Sequence, residues 1–202
     1  IQSLKKDIKI DDFLCSLLIQ RKVNTLIKAQ EFFRPNINLL HDPLLMKDMK
    51  KVVEKIENSR EERIMILGDY DVDGTTSTAM LYKYFKNANY DILYYIPDRY
   101  SEGYGVSEKA IEYAEKSSVS LIITVDCGIK AINQVDISNS KNIEIIICDH
   151  HLPGDQIPNA FGILNPKQEN CKYPFKDLCG CGIAYKLITA HNSLSENPID
   201  IS

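Results

Sequence analysis

Arg63-Ile64-Met65-Ile66-Leu67-Gly68-Asp69-Tyr70-Asp71-Val72-Asp73-Gly74 runs from a short apolar block directly into three alternating carboxylates. The block has the length and composition of a β-strand, and the stretch near 75–87 that follows it has helical spacing. The same order recurs downstream. Ile92 to Ile96, Ser120 to Val125 and Ile143 to Cys148 are further β-rich runs, and the stretches near 106–117 and 129–140 read as helices. Strand and helix in alternation predict an α/β fold, a parallel β-sheet flanked by helices. Upstream, Phe13, Leu14, Leu17 and Leu18 share one helical face, while Leu44, Met49, Val52, Val53 and Ile56 form another. Pro35, Asn36 and Pro43 break the chain between them. Residues 1–60 therefore read as a helical lead-in, and residues 61–202 as the main domain.

Composition sets the limits. At 202 residues the chain suits one substantial core, and 44% hydrophobic with 26% charged residues is ordinary for a soluble globular protein. No apolar run is long enough to span a bilayer, and Asp11 and Asp12 interrupt the only patch that resembles a secretory signal. The chain starts at Ile1 rather than Met, which points to a piece of a longer protein. Of six cysteines, Cys15, Cys127, Cys148 and Cys181 lie in or beside apolar runs, as reduced buried thiols of a cytoplasmic protein do. Cys171, Cys179 and Cys181 could be offered as zinc ligands, but the single-residue gap before Cys181 is tight and no fourth ligand is evident. A formal net charge of −4 argues against a broad electrostatic nucleic-acid binder and leaves room for a local basic groove.

Three clusters follow directly on predicted strands: Asp69, Asp71 and Asp73 after the first, Asp126 after the third, and Asp149-His150-His151 after the fourth. In an open parallel sheet the carboxyl ends of all strands lie along one edge, so these residues converge. Five carboxylates and two imidazoles gathered there repel one another unless cations neutralise them. Such an oxygen-rich set with one or two imidazoles suits Mn²⁺ or Mg²⁺. Each cluster alone has a plainer reading: Asp126 as a turn former or helix cap, His150 and His151 as surface histidines. Those readings must hold three times over, at equivalent positions on successive strands. The loop from Arg99 to Gly105 follows the second predicted strand and opens on the same edge. Arg99 offers donors to phosphate oxygens there, and Gly103 and Gly105 permit close backbone approach.

Two other motifs overlap the first cluster. A calcium-binding loop begins Asp-x-Asp-x-Asp-Gly but needs a Glu at its twelfth position, which here is Met80, and a helix before it. Asp71-Val72-Asp73-Gly74-Thr75 resembles the haloacid-dehalogenase signature, whose nucleophilic Asp ends the strand itself, whereas Gly68, Asp69 and Tyr70 intervene here.

Gly68 to Gly74, Val125-Asp126-Cys127-Gly128 and Cys148-Asp149-His150-His151 together resemble the first three motifs of the DHH phosphoesterase family, in order. Phe33-Arg34-Pro35 through Asp42-Pro43, Pro97 to Gly105 and Gly180 to Leu187 are similar to segments of its branch of single-strand-specific 5′ exonucleases. The resemblance implies that Asp71, Asp73, Asp126 and His150 are metal ligands, with Asp126 bridging two ions. It implies that Asp69 supports the cluster, His151 faces the scissile phosphate, and Asp149 orients the histidines. It further implies phosphodiester hydrolysis of single-stranded DNA with two Mn²⁺ or Mg²⁺ ions, in DNA repair and recombination, with a single-strand-binding protein as a partner. Two cations about 3.5–4 Å apart suit that reaction, because they stabilise both the attacking and the leaving oxygens. The chain ends before the fourth motif and the second domain of that family, which implies one weakened cation position here. A noncatalytic binding module of the same fold is the alternative, and such a module would have lost acidic ligands first.

Overall fold

Strands form where the apolar runs predict them: β1 (Arg63–Gly68), β2 (Asp91–Tyr95), β3 (Leu121–Val125) and β4 (Glu144–Cys148). A fifth strand, β5 (Gly162–Leu164), completes a fully parallel sheet of order β2-β1-β3-β4-β5 in the computed structural model, which describes residues 5–6 and 8–200. From β1 the chain winds outward in one direction to β2 and then crosses back to β3. The carboxyl ends of β1 and β3 therefore flank the crevice at which the strand order reverses.

Side chains alternate across the sheet, and both faces are covered. Ile64, Ile66, Leu121, Ile123, Ile146 and Leu164 share one core with α3 (Met49–Asn58), α4 (Val72–Asn87) and α7 (Gly180–Leu194). Met65, Leu67, Ile122, Ile145, Ile147 and Ile163 share the other with α5 (Glu108–Lys116) and α6 (Ile132–Ser140). At the first core's rim lies the buried imidazole of His191. Its Nδ1 is 2.8 Å from the Tyr84 hydroxyl, and its Nε2 is 2.9 Å from the Tyr90 hydroxyl and 3.1 Å from Glu57 Oε1. One side chain of α7 thus binds α3, α4 and the chain leading into β2. Burial pushes its pKa down to about 4, against the pull of Glu57.

The chain divides into two units, Ile1–His41 and Asp42–Ser202. Helix α3 therefore belongs with the sheet rather than with the lead-in to which the spacing assigned it. Met49, Val52, Val53 and Ile56 are all buried in the main core, whereas Leu44 of the same proposed face stays exposed. In the first unit, α1 (Asp12–Gln20) and α2 (Leu26–Phe33) are capped by Asp11 and Thr25. They pack Leu18, Val23 and Ala29 together. The face predicted from Phe13, Leu14, Leu17 and Leu18 is rotated: Leu18 is buried, but Phe13 and Leu14 are exposed. Among the described residues no helix is long and apolar enough to cross a membrane. All six cysteines are free thiols, and the four buried ones are Cys15, Cys127, Cys148 and Cys171, with Cys181 only half-buried.

Candidate metal centre

The turn after β1 supplies the first carboxylates. Asp69 is buried beside Gly105, whose N–H lies 3.4 Å from its Oδ1. Asp71 caps α4, its Oδ1 accepting the N–H of Gly74 at 2.9 Å. Asp73, in the first turn of α4, is gripped by the start of another helix: its oxygens accept the N–H groups of Gly180 at 2.6 Å and Cys181 at 2.7 Å. Those are the free donors at the amino end of α7, where the helix dipole favours an anion. A Cβ at Gly180 would fall 2.8 Å from Asp126, so only glycine lets α7 approach this closely.

Asp126 follows β3 in the left-handed region, at φ 60°, and is buried. Its Oδ1 lies 3.1 Å from His150 Nε2, which is also 3.7 Å from Asp73 Oδ2. After β4, Asp149 accepts the N–H of Ile129 at 2.9 Å on Oδ2, and its Oδ1 lies 2.7 Å from His151 Nδ1. That contact places the His151 proton on Nδ1 and leaves Nε2 as the unprotonated ring nitrogen. Asp149 thus orients His151; the contacts of His150 are with Asp126 and Asp73 instead. Beside His151 lies a cavity of about 310 Å³, lined by Tyr104, Gly105, Ile129, Lys130, Gln134 and Asp149 among others.

The electrostatics are those of a site lacking positive charge. Burial, then the carboxylates of Asp73 and Asp71, push the Asp126 carboxyl up to about 8. Asp126 Oδ1 and Asp69 Oδ2 are buried without a hydrogen-bond partner, and the 3.1 Å approach of His150 Nε2 to Asp126 Oδ1 does not have hydrogen-bond geometry. An orphaned carboxylate oxygen facing a ring nitrogen is what a shared cation resolves. Asp126, His150 and His151 each place a ligand atom within 4.8 Å of the others. Oxygen and imidazole donors with no thiolate fit Mn²⁺ or Mg²⁺.

Asp69, Asp71, Asp73, Asp126, Asp149, His150 and His151, distant in sequence, all meet at the carboxyl ends of β1, β3 and β4. Arg99 stands nearby with its guanidinium 5.3 Å from the ring centre of Tyr70. Gly103 and Gly105 both have positive φ, 82° and 80°. The cysteines form no metal cluster among the described residues: the Cys171 thiol accepts the N–H of Lys47, and that of Cys179 caps α7. β1, not a helix, precedes the Asp-rich turn, which removes the calcium-loop reading. Sequence reasoning did not single out Tyr104, whose hydroxyl donates to the Asp126 carbonyl at 2.8 Å, nor the donors at Gly180 and Cys181. Two glycines beside a cysteine at a helix start were the available signal for the latter.

The chain is 39% identical to the single-stranded-DNA-specific exonuclease RecJ of Bacillus subtilis over 203 aligned positions, covering 100% of this chain and 26% of that protein. It is 39% identical to the Escherichia coli protein of the same name, over 70% of this chain and 25% of that protein. The chain thus spans about a quarter of the length of these relatives. A crystal structure of exonuclease RecJ bound to manganese superposes with a TM-score of 0.65 at 30% identity, over 73% of this chain and 38% of that one. The Mn²⁺ complex of RecJ from Thermus thermophilus shares the fold, with a TM-score of 0.74 at 23% identity over 95% of this chain and 26% of that one. Residues 63–202 match the DHH family's N-terminal domain, and the chain belongs to that family.

Proposed function

We propose that this chain carries the metal-binding half of a phosphodiesterase that degrades single-stranded DNA from its 5′ end. The observation that carries the reading is the approach of Asp126, His150 and His151 donor atoms to within 4.8 Å at the sheet's switch point. The relatives' names and their manganese- and magnesium-bound structures support it. Asp126 and His150, with Asp71 and Asp73 beside them, are the residues that would hold Mn²⁺ or Mg²⁺, two ions in the complete protein. Bound there, the cations supply charge neutralisation and Lewis acidity at phosphorus.

The protein's own groups do the rest. Asp149 holds His151 by Nδ1, so Nε2 faces the scissile phosphate and can hold or release a proton there. Asp69, buried behind the turn, braces the loop through Gly105. Arg99, Gly103 and Gly105 form the grip on the DNA backbone. Free buried thiols suit a cytoplasmic protein, and a single-strand-binding protein is the partner such an enzyme of DNA repair and recombination would meet.

The test is digestion of 5′- and 3′-labelled single strands by the intact protein with Mn²⁺. Early release of the 5′ label, abolished by chelation and by His150→Ala, is expected. Release from the 3′ end first, or activity indifferent to chelation and to His150, overturns the reading. Capture of aluminium fluoride on Asp71 would install the dehalogenase chemistry instead; against it, Asp71 stands beyond the end of β1 as the cap of α4, not at the strand end where that nucleophile sits.

A further inference from the structure

Tyr104 is half-exposed yet its hydroxyl is committed at the centre of the site. It donates to the backbone carbonyl of Asp126 at 2.8 Å, and the same oxygen lies 3.4 Å from His151 Nδ1 and 3.5 Å from Nε2. The rings of Tyr104 and His151 meet edge to face, centroids 5.9 Å apart at 82°. On its other side Tyr104 meets Tyr70 edge to face at 6.4 Å.

The loop is built to aim this residue. Gly103 and Gly105 flank it at φ 82° and 80°, a region costly for other residues. Space does not require either glycine: a Cβ at Gly103 would meet nothing within 4 Å, and one at Gly105 only Cys127 Cβ at 3.6 Å. The backbone conformation is the requirement, and it turns Tyr104 back over Asp126 and His151. The far end of the loop is tied down by the Gly105 N–H, 3.4 Å from Asp69 Oδ1.

We propose that Tyr104 is a positioning residue for Asp126 and His151, a role that rests on the reading of this site as a metal-dependent phosphodiesterase. Asp126 occupies the left-handed region without being glycine, so its backbone needs an external hold. The Tyr104 O–H supplies one at the carbonyl, and this keeps the carboxylate turned toward His150. With its proton so used, the phenol oxygen meets the His151 ring only as an acceptor, 3.4 Å from the same Nδ1 that Asp149 holds. The imidazole is therefore fixed between two contacts, and Nε2 is presented to the substrate.

Tyr104→Phe and Tyr104→Ala in the intact protein, with ¹⁵N-labelled histidine, separate the possibilities. In the Phe variant the expected results are a His151 imidazole ¹⁵N shift and a Mn²⁺ affinity lowered about 10-fold by calorimetry, in the range seen when a group supporting a ligand is lost. kcat on single-stranded DNA should fall while KM and the thermal midpoint stay near wild type. Wild-type shifts and Mn²⁺ affinity in Tyr104→Phe overturn the proposal, and if Tyr104→Ala alone is impaired the ring merely fills space. If the wild-type protein does not cleave single strands, the phosphodiesterase reading fails. The imidazole shift of Tyr104→Phe still decides whether the hydroxyl holds His151.

Discussion

At the scale of single residues, Asp126 concentrates the conflict between folding and function. It combines a left-handed backbone, full burial and two carboxylate neighbours, and each of these opposes folding of the metal-free chain. Because burial and those neighbours raise its pKa to about 8, the folded metal-free protein binds a proton that the unfolded chain releases near pH 4. Its contribution to stability is present below about pH 4 and is lost as pH rises through about 8. Asp126→Asn keeps the shape and removes the titration. Thermal unfolding in chelator should therefore show wild type losing stability relative to the variant between pH 5 and 8, with the variant's midpoint at neutral pH no lower than wild type. Calorimetry should show its Mn²⁺ affinity reduced at least about 100-fold, beyond the loss of a mere supporting group. Asp126 was legible only through its place after a strand, since an isolated Asp before Gly128 reads equally well as a turn. Tyr104 was not legible, because its role arises from a loop bent by two glycines and not from any spacing.

Among the elements, β1 to β4 were readable because strands covered on both faces leave unbroken apolar runs. β5 has only three residues, too few for a pattern, and α7 opens with Gly180, Cys181 and Gly182, which hide its start. Yet α7 carries the donors that hold Asp73. Gly180→Ala should force the helix start away from Asp126, destabilising the fold by about 1–3 kcal/mol, as overpacking does. Mn²⁺ affinity should fall by more than that loss predicts, since Asp73 loses its donors; paired denaturation and calorimetric titrations check both. The Arg99 loop makes a separate prediction. Arg99→Ala should weaken binding of single-stranded DNA and flatten its salt dependence, as one phosphate contact and its released counterion are lost. Mn²⁺ affinity should not change. Filter binding across a salt series beside a metal titration reads both, and unaltered DNA affinity at low salt would remove Arg99 from the grip.

On the scale of the whole molecule, the alternation of strand and helix gave the architecture, while the boundary at 41–42 depended on which helix the core would bury. The buried His191 joins α7 to α3 and α4 and stays neutral; its pKa of about 4 lies below the unfolded value, so its contribution is present above about pH 6.5 and fades as pH falls toward 4. Up to about 3 kcal/mol is involved. Urea unfolding at pH 7, 5 and 4 should show a weaker decline for His191→Gln than for wild type. The strand order carries a kinetic consequence. The carboxylates and imidazoles belong to β1, β3 and β4, joined by crossovers through α4, β2, α5 and α6, so the donor set is complete only when all three of these strands have paired. Such long-range parallel pairings close late in folding. A cation that recognises only the finished constellation leaves the rate of folding alone and slows the escape from the native state. Added Mn²⁺ should therefore lower the unfolding arm of a chevron plot and leave its refolding arm in place, making the metal a brake on unfolding rather than a guide to assembly.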